Sequence, residues 1–554
     1  MAGLATSFGS GAMTNSIPEL ELADGILVTG SNTTEAHPLI ATRIYRAVER
    51  GAKLIVVDPR EVQLASLATL YLQPRPGTDV AWLNGMMYVI ITEGLMDEAF
   101  VRERTEGFEA LKQVVLQYTP ERVEQITGIP AADLVAAARM YAQAERGSIV
   151  YAMGITQHTT GTDNVMSCAN LAMLTGNVGR EGTGVNPLRG QNNVQGACDV
   201  GCLPNVYPGY QVVTNEAVRD KFRKAWGNVP ANAGVGLTMT QMVDAIEEGR
   251  LRALYIMGEN PVLADADAEH LRQALSKLDF LVVQDIFPTE TAELAHVLLP
   301  GASFAEKEGT VTATDRRIQL VRKAIEPVGQ SRADWEIICE LGRRFGSTGF
   351  EYRSPAEVMD EIASLTPIYG GVTYARLEAL GGLQWPCPTT DHPGTRYLHK
   401  DRFSRGIGHF APVQFVEADE SPDEEYPFLL TTGRVMHLWH TGSMTRRSEK
   451  LHQEVPEGYV EINPEDATRL GIGKSGFVRI TSRRGAIETR AWITKRVPPG
   501  VVFAPFHFPE AAANVLTNAA LDPVAQIPEY KVCAVHLERM AAPRPPEGSA
   551  EGGG

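Results

Sequence analysis

A short apolar run, Gly25 to Gly30 (GILVTG), gives way to the polar loop Ser31-Asn32-Thr33-Thr34 and then to a helical stretch from Pro38 to Arg50. A second apolar run, Leu54 to Val57, follows and closes on Asp58-Pro59-Arg60. Two such runs flanking a helix predict a βαβ unit of a parallel sheet, whose ligands sit at the carboxyl ends of the strands. The grammar returns at Ala253 to Gly258 (ALYIMG), with Glu259-Asn260-Pro261, a helix from about Asp267 to Ser276, and Phe280 to Val283 before Gln284-Asp285. Gly30 to Asp58 is 28 positions and Gly258 to Asp285 is 27, so the spacing predicts an internal repeat. Neither loop carries the full G-x-G-x-x-G fingerprint, and an ordinary dinucleotide site for NAD is not indicated.

Between the units, Thr175 to Tyr210 is rich in Gly and Asn. It offers many amide donors and few apolar anchors, a composition suited to wrapping a large polar ligand. After about Gly408 the texture changes to alternating strands, as in Phe477 to Ser482, Ala486 to Ile493 and Val501 to Phe503, which predict a β-barrel beginning near Pro412 and ending near Glu538. The expected fold is α/β: two doubly wound parallel-sheet domains related as a pseudo-repeat, then a C-terminal barrel. The expected bounds are 1–190 and 191–335 for the α/β domains, 336–407 for a connecting segment, 408–540 for the barrel and 541–554 for a Pro/Gly/Glu-rich disordered tail.

At 554 residues the chain exceeds any single core, and 44% hydrophobic with 21% charged residues is ordinary for a globular protein. No run reaches the roughly 18 to 20 apolar residues that span a bilayer, so direct membrane insertion is not expected. The net charge of −16 is spread along the chain and argues against a nucleic-acid-binding face. Six scattered cysteines make no disulfide framework and fit a reducing, cytoplasmic setting.

Several segments carry a resemblance. The most specific is Arg189-Gly190-Gln191-Asn192-Asn193-Val194-Gln195-Gly196-Ala197-Cys198-Asp199, followed by Pro204 and Tyr207-Pro208-Gly209-Tyr210. With it go Ala2-Gly3-Leu4, Met153-Gly154, Leu174-Thr175-Gly176-Asn177, Gly258-Glu259-Asn260-Pro261, Gln284-Asp285, Thr432-Gly433-Arg434, His440-Thr441-Gly442-Ser443-Met444-Thr445 and Glu529-Tyr530-Lys531. From Ala2 to about Glu538 the chain resembles the catalytic subunit of the formate dehydrogenases, within the molybdopterin oxidoreductases.

That resemblance implies a bis(molybdopterin guanine dinucleotide) cofactor with molybdenum or tungsten, one guanosine for each βαβ unit, and a barrel of the double-psi type. Ser31, Asn32, Asp58 and Arg60, with Gly30, would serve one nucleotide; Gly258, Glu259, Asn260, Gln284 and Asp285 the other. Met153, Gly154, Gly190, Asn192, Thr432, Gly433, Arg434, His440, Ser443, Asn514 and Lys531 complete the implied cofactor contacts. Formate is the implied substrate, and electron-transfer subunits with iron–sulfur, flavin/NAD or hydrogenase modules are the implied partners. Arg189 would bind both formate oxygens through its planar fork, and Gln191 would orient substrate or hydrogen-bond a metal ligand.

In the family a cysteine or selenocysteine holds the metal, a histidine follows it, and an iron–sulfur region with a [4Fe-4S] cluster precedes both. Here Ala2-Gly3-Leu4 stands at the start, so the metal ligand is expected just upstream of Met1. Met1 where the family has Val fits a GTG start taken after an upstream selenocysteine codon was read as a stop. The chain as written is then expected to be inactive. No residue of the chain is assigned as a metal ligand: Cys198 and Cys202 are four apart beside Arg189 but lack further ligands, and the other cysteines read as buried. His158 and His440 could approach the cofactor or be satisfied structural histidines. The competing functions are another molybdopterin oxidoreductase, such as a nitrate reductase, and a non-catalytic cofactor-binding polypeptide.

Overall fold

Alternation decides the first sheet. In a computed structural model that describes residues 1–541 except 228, 230–233 and 475, five parallel strands pair: β1 (Gly25–Thr29), β2 (Lys53–Val57), β3 (Leu70–Leu72), β4 (Gly147–Tyr151) and β5 (Gly184–Pro187). Their order is β3-β2-β1-β4-β5, a doubly wound arrangement that reverses direction at β1. Leu27, Ile55, Val57, Ile149 and Tyr151 point into one core, against the helices Asp79–Thr92 and Gly161–Leu174. Ile26, Val28, Leu54, Val56 and Val150 point into a second core, against Ile40 and Ile44 of the helix Pro38–Glu49. Every residue of β1, β4 and all but the first of β2 is buried, as a parallel sheet covered on both faces requires.

The second unit is thinner. Strands β6 (Ala253–Met257), β7 (Phe280–Asp285) and β8 (Val297–Pro300) are parallel in the order β8-β7-β6. Ile256, Leu281 and Val283 pack on Ile246 and Leu271 of the helices Met239–Glu247 and Ala268–Leu275. The other face stays open, with Tyr255, Met257, Phe280 and Val297 between 37% and 48% exposed. The repeat extends to the turn: Gly30 and Gly258 both have positive φ, and their amides bond to the carbonyls of Val57 and Gln284 on the neighbouring strand.

The third unit is a closed six-stranded barrel of β9 (Phe428–Gly433), β10 (Tyr459–Ile462), β11 (Phe477–Thr481), β12 (Ala486–Ile493), β13 (Val501–Pro505) and β14 (Cys533–Met540), in the order β9-β13-β10-β12-β11-β14. Its interior is Leu430, Val460, Val478, Ile480, Val502 and Val535. The barrel starts later than the alternation near residue 412 predicts. Gly408–His409 instead pairs with Thr105–Glu106, and Ala411 exchanges two hydrogen bonds with buried Asn170, so this stretch belongs to the first unit. Leu383–Gln384 of the connecting segment pairs with Arg317–Val321, which in turn pairs with Gly309–Thr312. The tail expected to be disordered lies, beyond residue 541, outside the described residues.

Candidate functional site

A cleft opens where the carboxyl ends of the first sheet meet the barrel. The loops after β1, β2, β4 and β5 supply Gly30, Ser31, Asn32, Asp58, Arg60, Met153, Gly154, Gly190 and Gln191; the barrel supplies Thr432, Gly433, Arg434, His440, Phe503 and Lys531. Four strand ends converge here because the sheet reverses its order at β1, which parts the loops.

Two glycines let the loops touch. Gly30 adopts φ +54, and a Cβ on it would lie 2.7 Å from the backbone of Gly154 and Ile155. The Gly154 amide donates to the Gly30 carbonyl at 3.0 Å. Any side chain at either position would force the first and third loops apart and open the cleft floor.

The charges in the cleft are unusual. Burial pushes the Lys531 amine down to about 8 against the pull of the Asp58 carboxylate, with the Arg434 cation adding to the fall, and that amine donates to the Thr432 carbonyl at 2.7 Å. Burial also lowers Arg434, which stacks over Trp439 at 4.4 Å. Among the described residues neither cation has a carboxylate within 4.0 Å. Asp58 is driven by burial up to about 6. Both amide atoms of Asn32 and Nδ1 of His37 are buried without a hydrogen-bond partner. Two unpaired cations, an acceptor and an unsatisfied amide fit a large anionic ligand that carries N–H or O–H donors, as a pterin dinucleotide with its phosphates does.

Arg60 has a different occupation from the one expected of it. Its guanidinium forms a two-pronged bond with Glu461 of β10, at 2.7 and 2.6 Å, and lies 4.0 Å over the Phe503 ring. Arg496 and Glu35 extend this pair, so Arg60 ties the first unit to the barrel while its stem lines the cleft. His158 is a satisfied histidine: Nδ1 pairs with Glu529 and Nε2 with the Gly154 carbonyl, both at 2.8 Å. Burial opposes its charge, yet Glu529 and Asp79 raise its pKa overall.

Arg189 stands beside the cleft. His37 Nε2 bonds to its carbonyl at 2.8 Å and its amide donates to Thr314 Oγ1 at 3.1 Å, while its Nε is buried without a partner. Asn192 is exposed and lines none of the cleft.

The second group is dispersed. Gly258 and Glu259 sit on an exposed turn. The amide of Asn260 is used by Glu290, Ser443 and Thr291, and Gln284 bonds to Asp334 and Tyr255. Asn514 donates to the carbonyls of Leu263 and Ala264, joining the barrel to the second unit. Asp285 and Asp265 are both raised by burial, Asp265 to about 7 with Glu259 adding to it. No group of three or more His, Cys, Asp or Glu placed to hold a metal occurs among the described residues; Cys198 is buried and Cys202 exposed.

Sequence reasoning missed His37 and Asp79. His37 immediately precedes the Pro that opens the helix after the first loop, a position from which a side chain faces the strand ends. That signal was available in the strand, loop and helix order.

Residues 3–344 match the family model described as molybdopterin oxidoreductase, and residues 428–534 match the molydopterin dinucleotide binding domain. The chain belongs to the molybdopterin oxidoreductase family. It is thus an oxidoreductase by family, and the two matched models support a molybdenum–molybdopterin cofactor. The chain is 52% identical over 544 residues to the F420-dependent formate dehydrogenase subunit alpha of Methanocaldococcus jannaschii, spanning 98% of this chain and 80% of that protein. It is 43% identical over 552 residues to formate dehydrogenase H of Escherichia coli, spanning 99% of this chain and 77% of that protein. Acetylene hydratase from Pelobacter acetylenicus shares the fold with a TM-score of 0.75 at 20% identity, over 97% of this chain and 80% of the other.

Proposed function

We propose that this molybdopterin oxidoreductase is the catalytic subunit of a formate dehydrogenase, taking formate to CO2 with release of two electrons and a proton. The observation that carries the reading is Arg189: a half-buried guanidinium with an unpartnered Nε, its backbone fixed on both sides of the peptide, and no carboxylate within 4.0 Å among the described residues. A planar fork meets the two oxygens of a small carboxylate and stays charged at any working pH. The two formate dehydrogenase relatives, matched along nearly the whole chain, support the same substrate class.

When bound, a bis(molybdopterin guanine dinucleotide) centre with molybdenum or tungsten supplies the two-electron acceptor. Gly30, Ser31, Asn32, Asp58, Met153, Gly154, Thr432, Gly433, Arg434, His440 and Lys531 would hold one dinucleotide in the cleft. Gly258, Glu259 and Asp285 keep groups available toward the second. Gln191, at the cleft edge, would orient substrate. His37 keeps the Arg189 carbonyl in place, and the barrel wall shields the reacting region from bulk water. Electrons would leave to partner subunits carrying redox groups, among which a flavin, nicotinamide or iron–sulfur module each suits the chemistry.

The test is formate-dependent reduction of a viologen dye. It is run on the 554-residue chain and on the same chain carrying an added N-terminal segment that supplies the family's Cys-His pair, each loaded with cofactor. Arg189→Ala is expected to lower kcat/KM roughly 10²- to 10³-fold, with Arg189→Lys recovering little of it. Turnover that survives Arg189→Ala nearly intact would refute the assignment, and nitrate reduction in place of formate oxidation would favour the competing oxidoreductase.

A further inference from the structure

Asp199 closes the motif that carries Arg189, and its surroundings are specific. The side chain is fully buried and accepts four hydrogen bonds from neutral donors. Oδ1 takes Gln195 Nε2 and the Tyr210 hydroxyl, each at 2.7 Å; Oδ2 takes the Tyr369 hydroxyl at 2.6 Å and the Trp385 indole N–H at 2.7 Å. No Lys, Arg or His nitrogen lies within 4.0 Å of it among the described residues. Packing alone does not call for this arrangement, because an apolar residue would fill the same volume without the cost of burying a carboxylate.

What the arrangement gives is direction. Tyr369 and Trp385 come from the connecting segment, about 170 and 186 residues further along the chain. The Tyr369 hydroxyl also meets Thr312 Oγ1 at 3.2 Å, and the Thr312 amide donates to Asn193 Oδ1 at 2.9 Å. Asn193 holds φ +64 and starts the short helix Val194–Asp199. A Cβ on Gly196 would sit 2.1 Å from Asn193 Oδ1, so the helix and this side chain are locked together. The loop is therefore tethered upstream through the Arg189 peptide and downstream through Asn193 and Asp199, leaving Gly190, Gln191 and Asn192 as a three-residue span between fixed ends. Tyr210 lies within electrostatic reach of both Asp199 and Arg189.

We propose that Asp199 is a positioning residue for substrate binding: its four-donor cluster with Gln195, Tyr210, Tyr369 and Trp385 fixes the downstream end of the Arg189 loop. The connecting segment thereby contributes to the site without touching substrate. The substrate named is formate, so the kinetic part rests on the function proposed above, whereas the structural part does not.

The experiment compares the full chain with Asp199→Asn, Asp199→Asn/Trp385→Phe and Leu377→Ala. An asparagine keeps the shape but turns an N–H toward the Trp385 N–H, a clash that removal of the indole donor relieves. Leu377 is buried in the same apolar cluster and makes no hydrogen bond to Asp199, so its variant reports general loosening of the connecting segment. Hydrogen exchange of the amides from 190 to 196 should accelerate about tenfold or more in Asp199→Asn, return toward wild type in the double variant, and change less than about threefold in Leu377→Ala. In the active form, Asp199→Asn should raise KM for formate about tenfold, keep kcat within about threefold and retain its cofactor. Exchange that rises equally in Leu377→Ala, or fails to recover in the double variant, overturns the proposal. If the wild type extended by the upstream Cys-His segment oxidises no formate, the functional reading falls and the exchange result alone decides the role of Asp199.

Discussion

The two parallel sheets arise from one repeated pattern and end in opposite conditions. Around β1 both faces are sealed, one against helix Asp79–Thr92 and the other against helix Pro38–Glu49, and the strand ends are closed by a barrel wall latched through Arg60 and Glu461. Around β7 only one face is covered, and Tyr255, Met257, Phe280 and Val297 meet water on the other. The first loop group retains polar atoms without partners, as Asn32 shows; in the second, Asn260, Gln284 and Asn514 are already committed to protein. A shared βαβ pattern sets strand order and the Gly turn, but the neighbours that later chain supplies decide whether the strand ends form a cavity.

The sharpest way to break this contrast is at the latch. Glu461→Ala should destabilise by roughly 3–5 kcal/mol, because the Arg60 charge is left buried without its partner, with recovery in Arg60→Met/Glu461→Leu. Lys307→Met, which removes a half-exposed partner of Asp334 near the second sheet, should cost under about 1 kcal/mol. Equal shifts in calorimetric midpoint would erase the distinction. Next come the sheets themselves: Ile55→Ala in the first should cost about 2–5 kcal/mol, whereas Met257→Ala on the open face should stay within about 0.5 kcal/mol.

A smaller effect is expected from pH. Burial raises the Asp58 carboxyl from 3.8 to about 6 in the folded chain, so the fold prefers it protonated. That contribution is full below pH 3.8 and is lost as pH rises through about 6. The melting temperature of the ligand-free chain should therefore decline across this window and flatten in Asp58→Asn; an unchanged slope would place the titration elsewhere. The weakest expected response is at the surface. Replacing Tyr255, Met257 and Phe280 by threonine should cut binding of a hydrophobic dye by roughly half, and identical dye binding would show that the open face is not the adhesive one.

Much of the first unit was readable in the chain because its signals are local: apolar runs of five residues, a Gly turn and an Asp at the next strand end. The start of the barrel was not. Residues 408 to 415 alternate like a strand, yet Ala411 and Val413 find partners in Asn170 and Asn84, and only tertiary packing says so. The site divides in the same way. The motif around Arg189 stands out by its Gly and Asn content, whereas the pairing of Arg60 with Glu461, the unpartnered Nδ1 of His37 and the commitment of Gln284 to Asp334 depend on distant segments meeting. Spacing could list these residues but could not say which had a charge or a lone pair left to offer.

The latch also sets a clock. Arg60 and Glu461 are separated by 401 positions. At synthesis rates of about 5–20 residues per second, the loop bearing Asn32 and Asp58 leaves the ribosome roughly 20 to 80 seconds before the strand that shuts it in. Through that interval the wall of the first sheet faces the surrounding solution, and a ligand as bulky as a dinucleotide has an unobstructed approach. Until Glu461 docks, the cleft has no barrel wall, so the site takes its final shape only after most of the chain has been made.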